Sequence, residues 1–482
     1  MDDNATLPAK TAATTAAALA RRTRLTALIV ACALFMQNLD STVISTALPT
    51  MAHAFGEDPV RMNVALTSYL LSLAVFIPTS GWIADRYGAK RVFRAAIVVF
   101  TIGSVLCGLS PTLLTLVGAR VLQGLGGAMM VPVGRLVLLR TVPKSELVAA
   151  MAWLSTPALL GPVLGPPLGG FIVTYFDWPL IFFINVPIGI LGVTLVTRYV
   201  EDVAEPVYSR FDWTGLAFSA VALTSLLFGL ETAGRGVVPA SVTTGVIGLG
   251  LVAGLGYWLH ARLHAAPLLD FRLLRIRTFM VSVLAGTLFR IGIGAIPFLL
   301  PMMLQLTFDK SAVQSGLITF ASSLGALFMK PVATSALRRF GFRDTLVVNG
   351  VVSTLLFAAM AAFRPSWPVL LITGVLLIGG FFRSLQFTAF NALAYADVSR
   401  TQMSAATAFY ATMQQVSLTI GVSLGAAALA LAMAFGGRHA PGLGDFTFAF
   451  LVVAATTVLS IPASLMMPRT AGTETSGYRG KN

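Results

Sequence analysis

Charged residues are scarce in this sequence. Aspartate, glutamate, lysine and arginine make up 11% of its 482 residues, against roughly 25% in a soluble domain. A large water-facing domain is therefore excluded. The longest polar stretches are the N-terminal tail, the region 198–210 and the tail from Pro468. Cysteine is scarcer still: Cys32 and Cys107 both fall in apolar runs and make no disulfide framework. The four histidines, His53, His260, His264 and His439, fall in predicted loops or helix ends. No Cys/His cluster has metal-ligand spacing, so no metal is expected. No glycine-rich phosphate loop is present, which argues against direct ATP hydrolysis. With neither a nucleophile–base pair nor a metal, no catalytic residue is named and an enzyme is not expected.

Apolar length is what the chain has in abundance. It is 56% hydrophobic with a mean hydropathy of +0.83, and bilayer-length runs recur throughout. Helices are the spanning element because lipid leaves an open backbone without partners. The pattern predicts fourteen, over residues 25–48, 62–83, 91–110, 112–138, 147–174, 179–199, 212–232, 240–260, 277–305, 312–337, 344–363, 367–391, 403–434 and 445–467. The net charge of +14 does not point to nucleic acid, because the basic residues are spread over many short loops. They are biased to one side, however. Only Arg61, Arg235, Lys310, Arg364 and Arg438 lie outside if the N-terminus is inside, and Arg120, Arg290, Lys330 and Arg383 lie within spans. The positive-inside rule then puts both termini in the cytoplasm. Trp178, Trp213, Trp258 and Trp367 sit near span ends, as interfacial anchors do. Arg21, Arg22 and Arg24 follow the mild Ala/Thr stretch rather than precede it, the reverse of a cleavable signal peptide.

An internal repeat is visible on the basic side. "ADRYGAKR" follows the second span and "LRRFGFRD" the tenth. Like turns in corresponding places imply two homologous halves, a common transporter construction. The expected division is a tail (1–24), a six-helix bundle (25–199), a linker with two extra helices (200–276), a second six-helix bundle (277–467) and a tail (468–482). Glu201, Asp202, Glu205 and Pro206 read as the solvated linker.

Asp40 stands inside the apolar run "ACALFMQNLDSTVISTALP", where a carboxylate costs roughly 2.5–3.5 kcal/mol even on lenient insertion scales. At about 1.5 Å per residue it lies roughly 22 Å from the inner end of its span. Arg120 lies about 12 Å from the outer end of a span running the other way, so the two depths agree. Arg120, Gln123, Gly124 and Gly127 share one helix face. Two readings stay open: a carboxyl that gains and loses a proton beside a guanidinium, or a structural aspartate bonded to Asn38, Ser41, Thr42 or a backbone amide. Arg290 lies about 18 Å along its span, Arg383 about 24 Å along its own, and Lys330 is near enough to the inner surface to snorkel. With Gln37, Gln123, Gln386, Phe289 and Phe387, these arginines are candidates for a substrate cavity. Such a charge balance would favour an anionic, amphipathic or polar substrate. The alternative is pairing of the cations with carbonyls and with Gln386, Asn391 or Gln305, the aromatics merely facing lipid or neighbouring helices.

Five motifs occur in register on the first six spans: "LDSTVISTALP", "GWIADRYGAKR", "RVLQGLGGAMMVPVGR", "LLGPVLGPPLGG" and "WPLIFFINVPIG". Together they resemble the fourteen-helix drug:proton antiporter branch of the major facilitator superfamily, the EmrB/QacA type. The resemblance implies an all-α polytopic fold of two six-helix bundles plus two inserted helices. It implies a multidrug efflux antiporter of the bacterial plasma (inner) membrane, working by alternating access with the proton gradient in place of a cofactor. Its partners would be a small amphipathic molecule, protons and the lipid bilayer. No long extramembrane hairpin indicates an adaptor protein.

The resemblance makes Gly81, Asp85, Arg86, Gly88 and Lys90 a cytoplasmic latch between the halves, Asp85 pairing with Arg86 or Lys90 or facing a helix N-terminus. Ala89 stands where the family has a basic residue, and Arg338 replaces Asp85 in the second copy, so the latch is expected on one side only. Gly161, Pro162, Gly165, Pro166, Gly169 and Gly170 resemble the antiporter signature and are expected to supply kinks and close contacts. An exporter of an anionic or polar metabolite and a non-transporting sensor or scaffold are the alternatives.

Overall fold

The computed structural model describes residues 6–57, 59–201, 210–232, 239–438 and 440–478. Asp202, Glu205 and Pro206 of the expected linker lie outside the described residues, as do Arg235, His439 and the side chains of Arg61, Pro162 and Pro166. We number the passes in chain order. The first six are α1 (Thr6–Phe55), α2 (Pro59–Phe76, continuing through Ile77–Thr79 into Ser80–Tyr87), α3 (Ala89–Gly108), α4 (Leu113–Thr141), α5 (Leu147–Tyr175) and α6 (Leu180–Phe183 with Asn185–Tyr199). The inserted pair is α7 (Trp213–Thr232) and α8 (Ala240–Leu263). The rest are α9 (Arg277–Leu306), α10 (Ala312–Phe328, extended by 330–340), α11 (342–361), α12 (Val369–Leu393), α13 (Met403–Phe435) and α14 (Leu443–Val458 with Ser460–Leu465). Twelve helices among the described residues are long and apolar enough to cross a bilayer, with 330–361 counted once. The 29-residue α5 and the composite α10 complete the fourteen.

Local sequence sets the boundaries. Thr112 and Thr115 cap α4 reciprocally, and Ser311 and Gln314 do the same for α10, satisfying amides that a helix start leaves open. The repeat turns after α2 and α10 each hinge on one glycine, Gly88 at φ +88 and Gly341 at φ +72, a region that residues with a Cβ adopt only with strain.

The two halves repeat one packing scheme eight passes apart. α1 packs on α5, α2 on α4, α3 on both α4 and α6; in step, α9 packs on α13, α10 on α12, and α11 on both α12 and α14. The pair α7–α8 pack on each other, and α7 rests against α2 and α13. Close approach depends on glycine where backbones cross, as in membrane interfaces generally. A Cβ on Gly380 of α12 would lie 1.8 Å from the Ser322 carbonyl of α10, and one on Gly325 of α10 equally close to that of Leu377. Gly380→Ala is therefore expected to cost about 1–3 kcal/mol, the usual penalty of overpacking, read as a lower unfolding temperature in detergent.

The halves meet at the end of the bundle that carries the basic loops. One continuous buried cluster there joins Ala84, Phe93 and Leu136 of the first half to Phe279, Val398, Ala406 and Phe409 of the second. Near the opposite end the buried cluster around Val43, Ala65 and Phe182 draws on the first half alone. This conformation is closed at the basic face. The C-terminal tail, read from sequence as merely polar, is docked: its short helix α15 (Thr473–Ser476) packs on the turn at 144–146 and on the run 330–361. Glu474 pairs with Lys144 at 3.4 Å, and the Tyr478 ring lies against Gly341.

Candidate functional site

Asp40 stands alone because its polar neighbours on α1 are spent locally. Asn38 donates to the Leu34 carbonyl, and Ser41 and Thr42 donate to that of Asn38. The carboxylate instead faces α4. Arg120 Nη1 donates to its Oδ2 at 2.6 Å. Gln123, one turn on, donates to Oδ1 at 2.8 Å, and Asn185 of α6 donates to the same oxygen at 2.9 Å. Arg120 also donates to Gln123 Oε1 (2.6 Å) and to the Ala65 carbonyl (3.3 Å), and lies 4.3 Å over the Tyr69 ring. Asp40 is 3% exposed and Arg120 and Gln123 are fully buried. A buried ion pair stabilises only when its remaining hydrogen-bonding capacity is met; the carboxylate has three donors, while Arg120 Nη2 is left without a partner. Protonating the carboxylate would remove the charge that balances Arg120.

Among the described residues Asp40 bonds to α4 and α6 rather than to Asn38, Ser41 or Thr42 of its own helix. Nor does Asp40 face a solvated space in this conformation; it lies inside the first half. Gln37, half-buried on α1, and the Tyr69 hydroxyl both lie over Gly127 of α4.

The remaining expected cavity residues separate into two groups. Gln123, Gln386 and Phe289 are core. Gln386 accepts from Asn349 at 2.7 Å and donates to the Leu346 carbonyl at 3.0 Å, while Phe289 packs on Phe357 and Phe390. Phe387 is half-buried. Arg290 is 1% exposed, lies 4.6 Å over the Tyr410 ring, and neither Nη atom has a hydrogen-bond partner. Arg383 donates to Ser322 and lies over Phe357. Lys330 does not snorkel: it is buried and turns inward to Thr388 at 3.3 Å.

At the basic face Asp85 pairs with neither Arg86 nor Lys90. Its Oδ1 accepts from Arg140 of α4 at 2.8 Å, and its Oδ2 accepts from the Ser404 hydroxyl in the first turn of α13, where helix amides favour an anion. Arg86 is adjacent in sequence and points elsewhere on the helix. Lys90 belongs to the next helix and donates to the Thr197 carbonyl at 3.2 Å. A Cβ on Gly81 would lie 2.8 Å from the Ser404 carbonyl. Asp85 thus ties the two halves together.

The sequence model of the Major Facilitator Superfamily matches residues 30–421 and 282–479. The chain belongs to the major facilitator superfamily. It is 38% identical over 440 residues to "Putative multidrug resistance protein MdtD" of Pectobacterium carotovorum, covering 90% of this chain and 93% of that one. The protein of that name from Escherichia coli O127:H6 is 37% identical, over 90% and 92% of the two chains. Two solved structures share the fold at 14% identity and a TM-score of 0.63: the human organic anion transporter MFSD10, over 92% of this chain and 99% of that one, and the proton:xylose symporter XylE, over 96% and 99%. Fourteen passes and the MdtD relatives put the chain in the superfamily's fourteen-helix branch, and make it a multi-pass membrane transporter.

In this family member the glycine–proline array on α5 is divided. Gly161 and Gly165 press on α1, where added Cβ atoms would lie 2.8 Å from the Asn38 Cβ and 2.0 Å from Thr42 Oγ1. Gly169 is buried, whereas a Cβ on Gly170 would meet open space. The prolines do not interrupt α5, which runs as one element. The helix carrying Asp40 is therefore packed on the array within two residues either side of the carboxylate. Arg135 lies in the expected span 112–138, and the sequence did not mark it as a site residue. It is 5% exposed and crosses between the halves to the Tyr395 hydroxyl (3.2 Å) and Gln414 (3.3 Å), with Tyr410 ring 5.6 Å away. Its signal was position: three residues inside the expected end of the span 112–138, about 4.5 Å deep.

Proposed function

We propose that this chain is a proton-coupled multidrug efflux antiporter of the bacterial plasma membrane, its basic face in the cytoplasm. The observation that carries the reading is the buried Asp40–Arg120 pair inside one half of a bundle whose halves meet at the basic face through separable contacts. With that face closed, Asp40 accepts from Arg120, Gln123 and Asn185. A proton entering from outside neutralises the carboxyl and leaves Arg120 uncompensated. The repacking of α1 against α4 and α5 that follows loosens the first half and favours opening of the Asp85–Ser404 tie. Release of the proton to the cytoplasm restores the pair and the closed face. Each charge moved across 100 mV supplies about 2.3 kcal/mol, comparable to the cost of such a switch. The MdtD relatives support drugs as the cargo.

The test is efflux of an amphipathic dye from cells lacking their other pumps. Efflux is expected to stop when a protonophore collapses the gradient and to be absent in Asp40→Asn at equal expression. Dye export that survives the protonophore contradicts proton coupling. One observation favours a second reading, export of an anionic metabolite: Arg290 and Arg135 share the Tyr410 ring, and Arg290 has two buried donor groups unused. Matched anionic and cationic dyes separate the two, since the second reading expects Arg290→Gln to impair the anionic dye selectively.

A further inference from the structure

We infer that the inserted helix pair carries a transition-metal site at the basic face, formed by Asp212, His260 and His264 and suited to Zn²⁺. The three side chains come from both helices: Asp212 immediately precedes α7, and the histidines close α8. Their potential ligand atoms all lie within 4.8 Å of one another. Four-residue spacing puts the two imidazoles on one helix face, with ring centroids 5.1 Å apart.

An independent observation points to a ligand. Asp212 is 2% exposed, and its Oδ1 already accepts from the Gly215 amide at 2.7 Å and contacts His260 Nε2 at 2.7 Å. Its Oδ2 is buried with no hydrogen-bond partner. A buried carboxylate oxygen left unsatisfied is costly, and this one belongs to the same carboxylate whose other oxygen touches His260. Gly215 makes room for it, since a Cβ there would sit 2.0 Å from Oδ2.

Two imidazoles and one carboxylate are a zinc donor set that leaves a fourth tetrahedral position for water. Metal–ligand bonds of about 2.0–2.2 Å put the donor atoms about 3.3 Å apart. Reaching that spacing requires the 2.7 Å His260–Asp212 contact to open slightly and the half-exposed His264 ring at the helix end to turn, giving up a 3.3 Å contact with the Ala266 amide. The ion would clip the open ends of the α7–α8 hairpin beside Trp82 of α2, whose ring packs on Phe211. The donor set is compatible with other borderline ions, which Zn²⁺ represents in the test.

The experiment uses full-length protein purified without a histidine tag and Zn²⁺ alone as the probe. Competition with a chromogenic chelator is expected to give one Zn²⁺ per chain. His264→Ala and Asp212→Asn should each weaken binding by at least about tenfold, and His53→Ala should not. Zn²⁺ should also raise the unfolding temperature of the wild type and not of His264→Ala, a variant that keeps the Asp212–His260 contact and so the fold. No bound Zn²⁺, or equal retention by wild type and His264→Ala, overturns the site and leaves the contact as a helix tie only.

Discussion

Arg120→Ala is expected to cost about 3–5 kcal/mol of stability, the penalty for leaving one partner of a buried ion pair without the other. The Asp40 carboxylate would keep two neutral donors, Gln123 and Asn185, and lose the cation that pairs with it. Asp40→Asn in the same chain should recover most of that loss, because replacing both members of a buried pair is often neutral or stabilising. Thermal unfolding in detergent reads both effects. Transport separates the structural role from the chemical one: the double variant folds and inserts, yet exports nothing. If it is as unstable as Arg120→Ala, the packing of the arginine over Tyr69 and not its charge sets the stability.

Gly81→Val should open the basic face. Its Cβ would lie 2.8 Å from a backbone carbonyl of the opposite half, which cannot swing aside as a side chain can. A penalty of about 1–3 kcal/mol on the closed state alone shifts the conformational equilibrium by about 5–150-fold. Ala406, wholly buried in the closed face, is the reporter. As a cysteine in a background lacking Cys32 and Cys107, it should react faster with a membrane-impermeant thiol reagent in everted vesicles when Gly81→Val is present. Export should fall in parallel. Unchanged labelling and export would mean that this crossing does not hold the face shut.

What was legible in the sequence was whatever lipid makes expensive. Asp40 and Arg120 announced themselves as charges in apolar runs, and helix rise alone put them at one depth. The two halves showed in the repeated glycine turns, which the structure realises with the same left-handed backbone. Residues that a bilayer tolerates were harder to assign. Asn185 carries no charge and sits at a break in α6, so nothing in its own segment tied it to Asp40. Phe289 and Gln386 resembled cavity walls because a helix packed on all sides is apolar all round, and its pattern does not say which face opens. Asp85 was expected to pair with Arg86 or Lys90 or to face a helix N-terminus; it lies at the first turn of α13, and its ion-pair partner Arg140 comes from the far end of another helix. Arg135 went unmarked because a span end known only to a few residues cannot separate a loop cation from an interfacial one.

Proton release measured on the purified protein bears most directly on Asp40 as the coupling carboxyl. In weakly buffered detergent solution with a pH-indicator dye, adding an exported drug to wild-type protein should release protons, and Asp40→Asn should bind the same drug and release none. Equal release from the two proteins would contradict the account.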